Sequence, residues 1–196
     1  MTTQFFDSNS YFIDEKVNLL KFENSYLVYN DKAENIGSIV QKLSFGQKAL
    51  RLLVNKAILP FKLEIKDANG TLLASISRGW TFFMSKIVIT SGDDQVIGTV
   101  QQKFKFFKPT FRIFNHEDRL IAEITGDWKA WNFEIKDDAG LKIGTISKKW
   151  AGALKEMFTS ADKYNVTLDT AYSNMMNKIA VLSAAITIDM VLKESK

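Results

Sequence analysis

The chain of 196 residues contains no cysteine, one histidine (His116) and two prolines. Without Cys there is no disulfide framework, thiol nucleophile, cysteine-zinc site or palmitoylated thiol. A lone His argues against most metal centres and against Ser-His-Asp chemistry. The N-terminal stretch MTTQFFDSNS lacks a basic start followed by an apolar run, so no secretory leader is expected and the default setting is cytoplasmic. Hydrophobic residues make up 46% and charged residues 24%, which excludes a disordered or collagen-like chain. Aromatic residues are plentiful at 12%, with fifteen Phe. A chain of this size buries about 70% of its unfolded surface, enough for a sizeable core. The net charge of +4 permits contact with an anionic membrane or nucleic acid but demands neither.

The chain repeats itself. Phe61–Trp80 reads FKLEIKDANGTLLASISRGW and Trp131–Trp150 reads WNFEIKDDAGLKIGTISKKW, identical at eight of twenty positions without gaps. A shorter theme of an apolar residue, Gly or Ala, any residue, then Ile or Val occurs five times. It is IGSI at Ile36–Ile39, LASI at Leu73–Ile76, IGTV at Ile97–Val100, IAEI at Ile121–Ile124 and IGTI at Ile143–Ile146. Each unit reads as a β-hairpin. Phe61, Leu63 and Ile65 alternate with Lys62, Glu64 and Lys66, the period of a strand with one wet face. Turn residues follow at Asp67–Gly70, Ser91–Asp94 and Asp137–Gly140. With Tyr11–Glu15 before and Tyr164–Leu168 after, this gives about twelve strands. An insert at Phe45–Leu59 places Leu50, Leu53, Val54 and Ala57 at helical intervals, and Trp150–Phe158 reads as a second short amphipathic helix. No Pro- or Ser-rich linker interrupts the order, so residues 1–196 read as one domain.

The last element, with a helix at about 172–192, has no polar face: IAVLSAAITIDMVL at Ile179–Leu192 is apolar around its circumference. Such a helix is buried in protein or lies in a membrane. The run is fourteen residues, Asp189 included, against about twenty for a bilayer crossing, which favours burial in protein. The small second residue of the five-fold theme shares a strand face with the Ile or Val at its fourth position. Gly in a strand marks close approach of another backbone, and a ring of small residues makes room for a thick object. The expected fold is mainly β (α+β), a closed twelve-stranded antiparallel β-barrel enclosing the hydrophobic C-terminal helix. A β-sandwich with the helix outside leaves part of Ile179–Leu192 exposed.

Residues Trp131–Leu192 resemble the C-terminal half of phospholipid scramblases, most specifically Phe133–Ile135, Gly144–Trp150, Phe158–Asp162 and the Asp189-bearing helix. The earlier hairpins match the pattern more loosely. Plant LURP-one-related proteins and the Tubby C-terminal domain share the architecture. The resemblance implies a twelve-stranded barrel around a hydrophobic helix, association with membranes and, in Tubby-like members, phosphoinositide binding through basic surface residues. It stops at the family's calcium segment. Here Ser160 stands where the first acidic ligand would be, with Lys163 beside Asp162, and calcium needs six to eight oxygen ligands, so no calcium site is expected. The Pro-rich extension and palmitoylated Cys cluster of animal scramblases are also absent from this sequence, so membrane contact is expected to be peripheral.

The densest basic and aromatic stretch is Lys103-Phe104-Lys105-Phe106-Phe107-Lys108, continuing to Arg112. On a strand, Lys103 and Lys105 share one face and Phe104 and Phe106 the other. The lysines are either a row for phospholipid headgroups, each contributing about 1 kcal/mol near an anionic surface, or solvated residues that discourage edge pairing. The second is the default. Lys148 and Lys149 beside Trp150 form a weaker patch. Asp189 needs a partner or a place near a barrel mouth, and Lys193 is the candidate partner. Asp93-Asp94, Asp137-Asp138 and His116 read as turn residues. No nucleophile, base and oxyanion site assembles, so no enzyme, cofactor or metal is expected. Nucleic acid is not expected either, because the Phe residues are committed to the core. The leading expectation is a non-enzymatic domain binding anionic phospholipids or phosphoinositides through Lys103, Lys105, Lys108, Arg112, Lys148 and Lys149. Transbilayer lipid movement with the C-terminal helix inserted, and a partner-binding or structural domain with no lipid role, stay open.

Overall fold

The computed structural model describes residues 4–16, 25–50, 53–54, 58–80, 86–103, 109–127, 129–148, 163–172 and 174–194. Alternating apolar and polar residues become strands with one face inward: Phe61, Leu63 and Ile65 are buried while Lys62 is exposed. Twelve strands are formed. They are β1 (Ser10–Lys16), β2 (Ser25–Tyr29), β3 (Asn35–Lys42), β4 (Phe61–Asp67), β5 (Leu72–Arg78), β6 (Lys86–Ser91), β7 (Val96–Lys103), β8 (Thr110–Asn115), β9 (Leu120–Asp127), β10 (Asn132–Asp137), β11 (Lys142–Ser147) and β12 (Lys163–Leu168). Each pairs antiparallel with its chain neighbours, and β12 returns to β1 to close the barrel. Closure leaves no sheet edge exposed. At the seam Asp14 lies opposite Lys163, both buried, with their charged groups 3.6 Å apart.

Five hairpins close with one device. Asn30, Asp67, Ser91, Asn115 and Asp137 each accept, through a side-chain oxygen, the backbone N–H four residues on. Ala33, Gly70, Asp94, Asp118 and Gly140, three residues after these, adopt φ between 57° and 85°. This is a three-residue loop whose left-handed residue matches the twist of the strands. Just beyond each turn the register slips by one. The extra residues are Ile36, Leu73, Ile97, Ile121 and Ile143, the first position of the five-fold sequence theme. The theme thus encodes a β-bulge, which turns one more apolar side chain inward and strengthens strand twist.

The third helix among the described residues, α3 (Met175–Glu194), runs inside the barrel. Asn174 caps it, its Oδ1 accepting the Asn177 N–H at 3.1 Å. From Ile179 to Ile188 every side chain is buried, Ala184 and Ile188 completely. Thr187 satisfies its hydroxyl on the Ser183 carbonyl at 2.7 Å. The helix lies closest to β7 and β8, then β5 and β9. Those strands carry the small residues Ala74, Gly98 and Ala122 on their buried faces. Room for the helix explains only part of the theme. A Cβ on Gly98 would meet the Phe114 carbonyl of the adjacent strand, and one on Gly37 would meet the Lys66 carbonyl and the Phe5 ring. The close approach expected at glycine is therefore made chiefly by neighbouring strands.

A short α1 (Gln4–Asp7) closes the hairpin end, where Phe5 and Phe6 are buried and Phe5 packs 5.8 Å from the Tyr11 ring. In the insert, α2 (Phe45–Leu50) starts at a capping box: the Ser44 hydroxyl accepts the Gln47 N–H and the Gln47 side-chain Oε1 accepts the Ser44 N–H. It is shorter than the expected helical insert. Leu53 and Val54 lie in a turn, Leu59 and Phe61 beyond them are buried, and Ala57 lies outside the described residues. The expected helix at Trp150–Phe158 lies outside the described residues.

Gly98→Ala is expected to lower stability by about 1–3 kcal/mol, since only backbone atoms stand in the way. Gly46→Ala, in open space on α2, should raise it by about 0.5–1 kcal/mol. Urea midpoints of the two variants provide the comparison.

Burial pushes the Tyr172 phenol from 10.0 up to about 12, with Asp137 and Asp138 adding to the effect and the nearby Asn177 side chain opposing it. Burial, then Asp7, also raises Tyr11. Above pH 10 the unfolded chain gives up these protons first, so the two tyrosines' contribution to stability is full below about pH 10 and is lost as the pH climbs from 10 through 12. Phenolate absorbance followed together with circular dichroism is expected to show these two tyrosines ionising late and with loss of structure.

Candidate functional site

The antiparallel order gives the barrel two chemically different ends. At one end lie the five short turns, the start of α3 and α1. The five turn pentapeptides carry nine carboxylates against Lys32 and Arg119 as their cations. Part of this acidity is structural, because Asp67 and Asp137 hold backbone N–H groups. Lys178 sits buried at the same end. Its amine donates to Asn9 Oδ1 at 3.0 Å, and loss of solvent lowers its pKa against the opposing pull of Asp7.

The opposite end carries the longer connections and exposed lysines. Lys42 ends β3, Lys62 is the second residue of β4, Lys86 begins β6 and Lys103 ends β7; all four lie on outer faces and are exposed. Between them on β5, Arg78 is buried. Its guanidinium donates to the Leu59 carbonyl at 2.7 Å and stacks 4.7 Å from the Phe61 ring centroid, so it braces the insert. Lys42 and Lys62 face each other across the β3–β4 pair and line an open cleft of about 590 Å³ with Leu43, Ser44, Gln47 and Phe61. Glu64 is 3.7 Å from Lys42 and 3.3 Å from Lys66. A second cleft, about 260 Å³, opens between β11 and β12 at the acidic end beside Lys142 and Asp169. Among the described residues no group of His, Asp or Glu is arranged to hold a metal ion.

The residues expected from the sequence to bind lipid are distributed around this lysine-bearing end. Lys103 points outward beside Thr110, with Gln102 buried on the alternate face. Arg112 is a diagonal neighbour of Lys103 but is held by Glu123 across the β8–β9 pair, Nε to Oε2 at 3.0 Å. Lys148 lies over the Trp131 ring at 4.7 Å. Lys105, Lys108 and Lys149 lie outside the described residues, as do the Asp189 and Lys193 side chains. The fold adds Lys42, Lys62 and Lys86, which no motif unites. They are scattered along the chain, and only the strand register gathers them at one end.

A closed antiparallel barrel filled by its own apolar helix is a fold class that this chain shares with a solved structure. A structure from Arabidopsis thaliana matches at a TM-score of 0.53 with 9% identity, covering 96% of this chain and 94% of that one. That similarity shows the fold alone. The Scramblase family model matches residues 14–195, and the chain belongs to this family. A phospholipid scramblase family protein of Schizosaccharomyces pombe is 22% identical over 176 residues, 83% of this chain and 45% of that protein. Human phospholipid scramblase family member 5 is 27% identical over 146 residues, 67% and 54% of the two chains. Human phospholipid scramblase 1 is 29% identical over 150 residues, 69% and 47%. The chain spans about half the length of these curated relatives. Membership supports a phospholipid-scramblase-related role, and the family is not a classical enzyme family.

The Arg112–Glu123 pair is more than a quarter exposed on each side, with side-chain exposures of 37% and 31%. Glu123→Gln is therefore expected to cost less than about 1 kcal/mol in urea unfolding. A larger loss would make the pair a structural tie and remove Arg112 from the candidate contacts.

Proposed function

We propose that residues 1–196 act as one non-enzymatic, scramblase-family domain that binds acidic phospholipid headgroups at a membrane surface. The observation that carries this reading is the sorting of charge along the barrel axis. Four exposed lysines stand at one end, while the turn carboxylates occupy the other. An anionic surface attracts the first and repels the second, which orients the molecule before contact. Each lysine near such a surface contributes about 1 kcal/mol, and the attraction is screened within about 8–10 Å at physiological salt. Binding of this kind is peripheral. It uses no metal or cofactor and requires no opening of the barrel.

Lipid movement with α3 inserted in the bilayer is the second reading, and family membership favours it. It requires the barrel to release a helix buried on all sides from Ile179 to Ile188. None of the described helices is long and apolar enough to cross a membrane.

The chain is expected to sediment with phosphatidylserine or phosphoinositide vesicles, not with phosphatidylcholine alone, and to dissociate as salt rises. Lys103→Glu with Lys105→Glu should weaken binding at least about tenfold, given the lysine contribution above. Undiminished binding in that variant would exclude those two contacts, and no binding to any anionic vesicle would overturn the lipid reading. A dithionite assay on vesicles with fluorescent lipid separates binding from transbilayer movement.

A further inference from the structure

We propose that the segment joining β3 to β4 seats the protein on a bilayer: Phe45 and Leu53 enter the interface while Lys42 and Lys62 hold phosphate oxygens of an anionic lipid. This rests on the lipid-binding reading above and gives it a specific element. Phe45 is 89% exposed and Leu53 84% exposed, the most open large apolar side chains among the described residues. Single exposed hydrophobic residues are ordinary on protein surfaces. These two belong to the same insert that walls the cleft between Lys42 and Lys62.

The two lysines are a like-charged pair directly opposite each other on neighbouring strands, an arrangement that destabilises a sheet unless an anion intervenes. Glu64 neutralises this pair incompletely. It reaches Lys42 while also engaging Lys66, and no carboxylate among the described residues lies within ion-pair distance of Lys62. A phosphate between the two amines meets both charges. The cleft's about 590 Å³ lies within the range of small-molecule sites. The capping box between Ser44 and Gln47 anchors the start of α2, so Phe45 stands on an ordered turn.

A bilayer fits this surface better than a protein partner does. Apolar tips beside cations match an interface in which acyl chains lie just beneath anionic headgroups. Trp80, 54% exposed, leaves β5 at the same end of the barrel, and tryptophan favours the headgroup level. At the acidic end the same bilayer would meet carboxylates.

The absence of cysteine permits a single environment-sensitive label. Ala49→Cys, exposed on α2, and Asp138→Cys, in an acidic turn, are each labelled with a nitrobenzoxadiazole dye in the full chain. The vesicles are phosphatidylcholine with phosphatidylserine or phosphatidylinositol bisphosphate. The label at 49 is expected to brighten several-fold, shift to the blue and be quenched by nitroxide-bearing lipids, while the label at 138 stays in water. Lys42→Glu with Lys62→Glu, and separately Phe45→Ser with Leu53→Ser, should each lower vesicle partitioning at least about tenfold, with unchanged circular dichroism. Vesicle binding with the label at 49 left in water, or with the label at 138 inserted, overturns this docking element and leaves the lipid reading standing. Binding unchanged in both double variants does the same. No sedimentation with anionic vesicles overturns both.

Discussion

A twenty-residue helix with no polar face dictates the rest of the architecture. Ordinary surface helices bury one stripe against a sheet, and a one-sided packing would leave much of Ile179–Ile188 in water at about 25 cal/mol for each Å² of apolar surface. Only an enclosing wall satisfies all sides. That makes closure of β1 on β12 the decisive contact, and the buried Asp14–Lys163 pair stands at that seam. The bulges deliver the remaining fit. Each puts an extra apolar side chain into or against the core just past its turn, and α1 covers the mouth with two phenylalanines.

The two ends of the barrel owe their charges to different causes. The turn end is acidic largely because a tight three-residue loop favours Asp and Asn, whose side chains cap free N–H groups and tolerate left-handed backbone. Asp94 and Asp118 occupy that left-handed position themselves. Nothing in the backbone of the other end asks for lysine. Strand ends there accept any polar residue, yet Lys42, Lys62, Lys86 and Lys103 recur on four of five adjacent strands. A feature that folding does not require is the better candidate for function, which is why the proposed lipid contact is placed there.

The candidate site was legible in the sequence only where its residues were neighbours in the chain. Lys103 was visible as part of an alternating run, and the structure keeps it outward with Gln102 behind it. Arg112 and Lys148 were equally visible as cations, but their partners, Glu123 on the next strand and Trp131 seventeen residues back, become contacts only through hairpin register. The facing of Lys42 and Lys62 across an intervening helix has no local signature at all. The insert misled for a related reason. Its apolar spacing resembles a helix with one greasy face, whereas Leu53 and Val54 lie in a turn that leaves Leu53 in solvent, and the buried residues are Leu59 and Phe61.

The amino-acid order alone determined the strand periodicity, the hairpin turns, the repeat that became a bulge and the need to surround a helix without a polar side. All of these are local patterns, set by side-chain period and turn stereochemistry within a few residues. Which cations share a rim, which of them are taken by carboxylates or aromatic rings, and which apolar residues stay in water were decided by closure. Those relations depend on pairing between strands far apart in the chain, and no short-range preference specifies them.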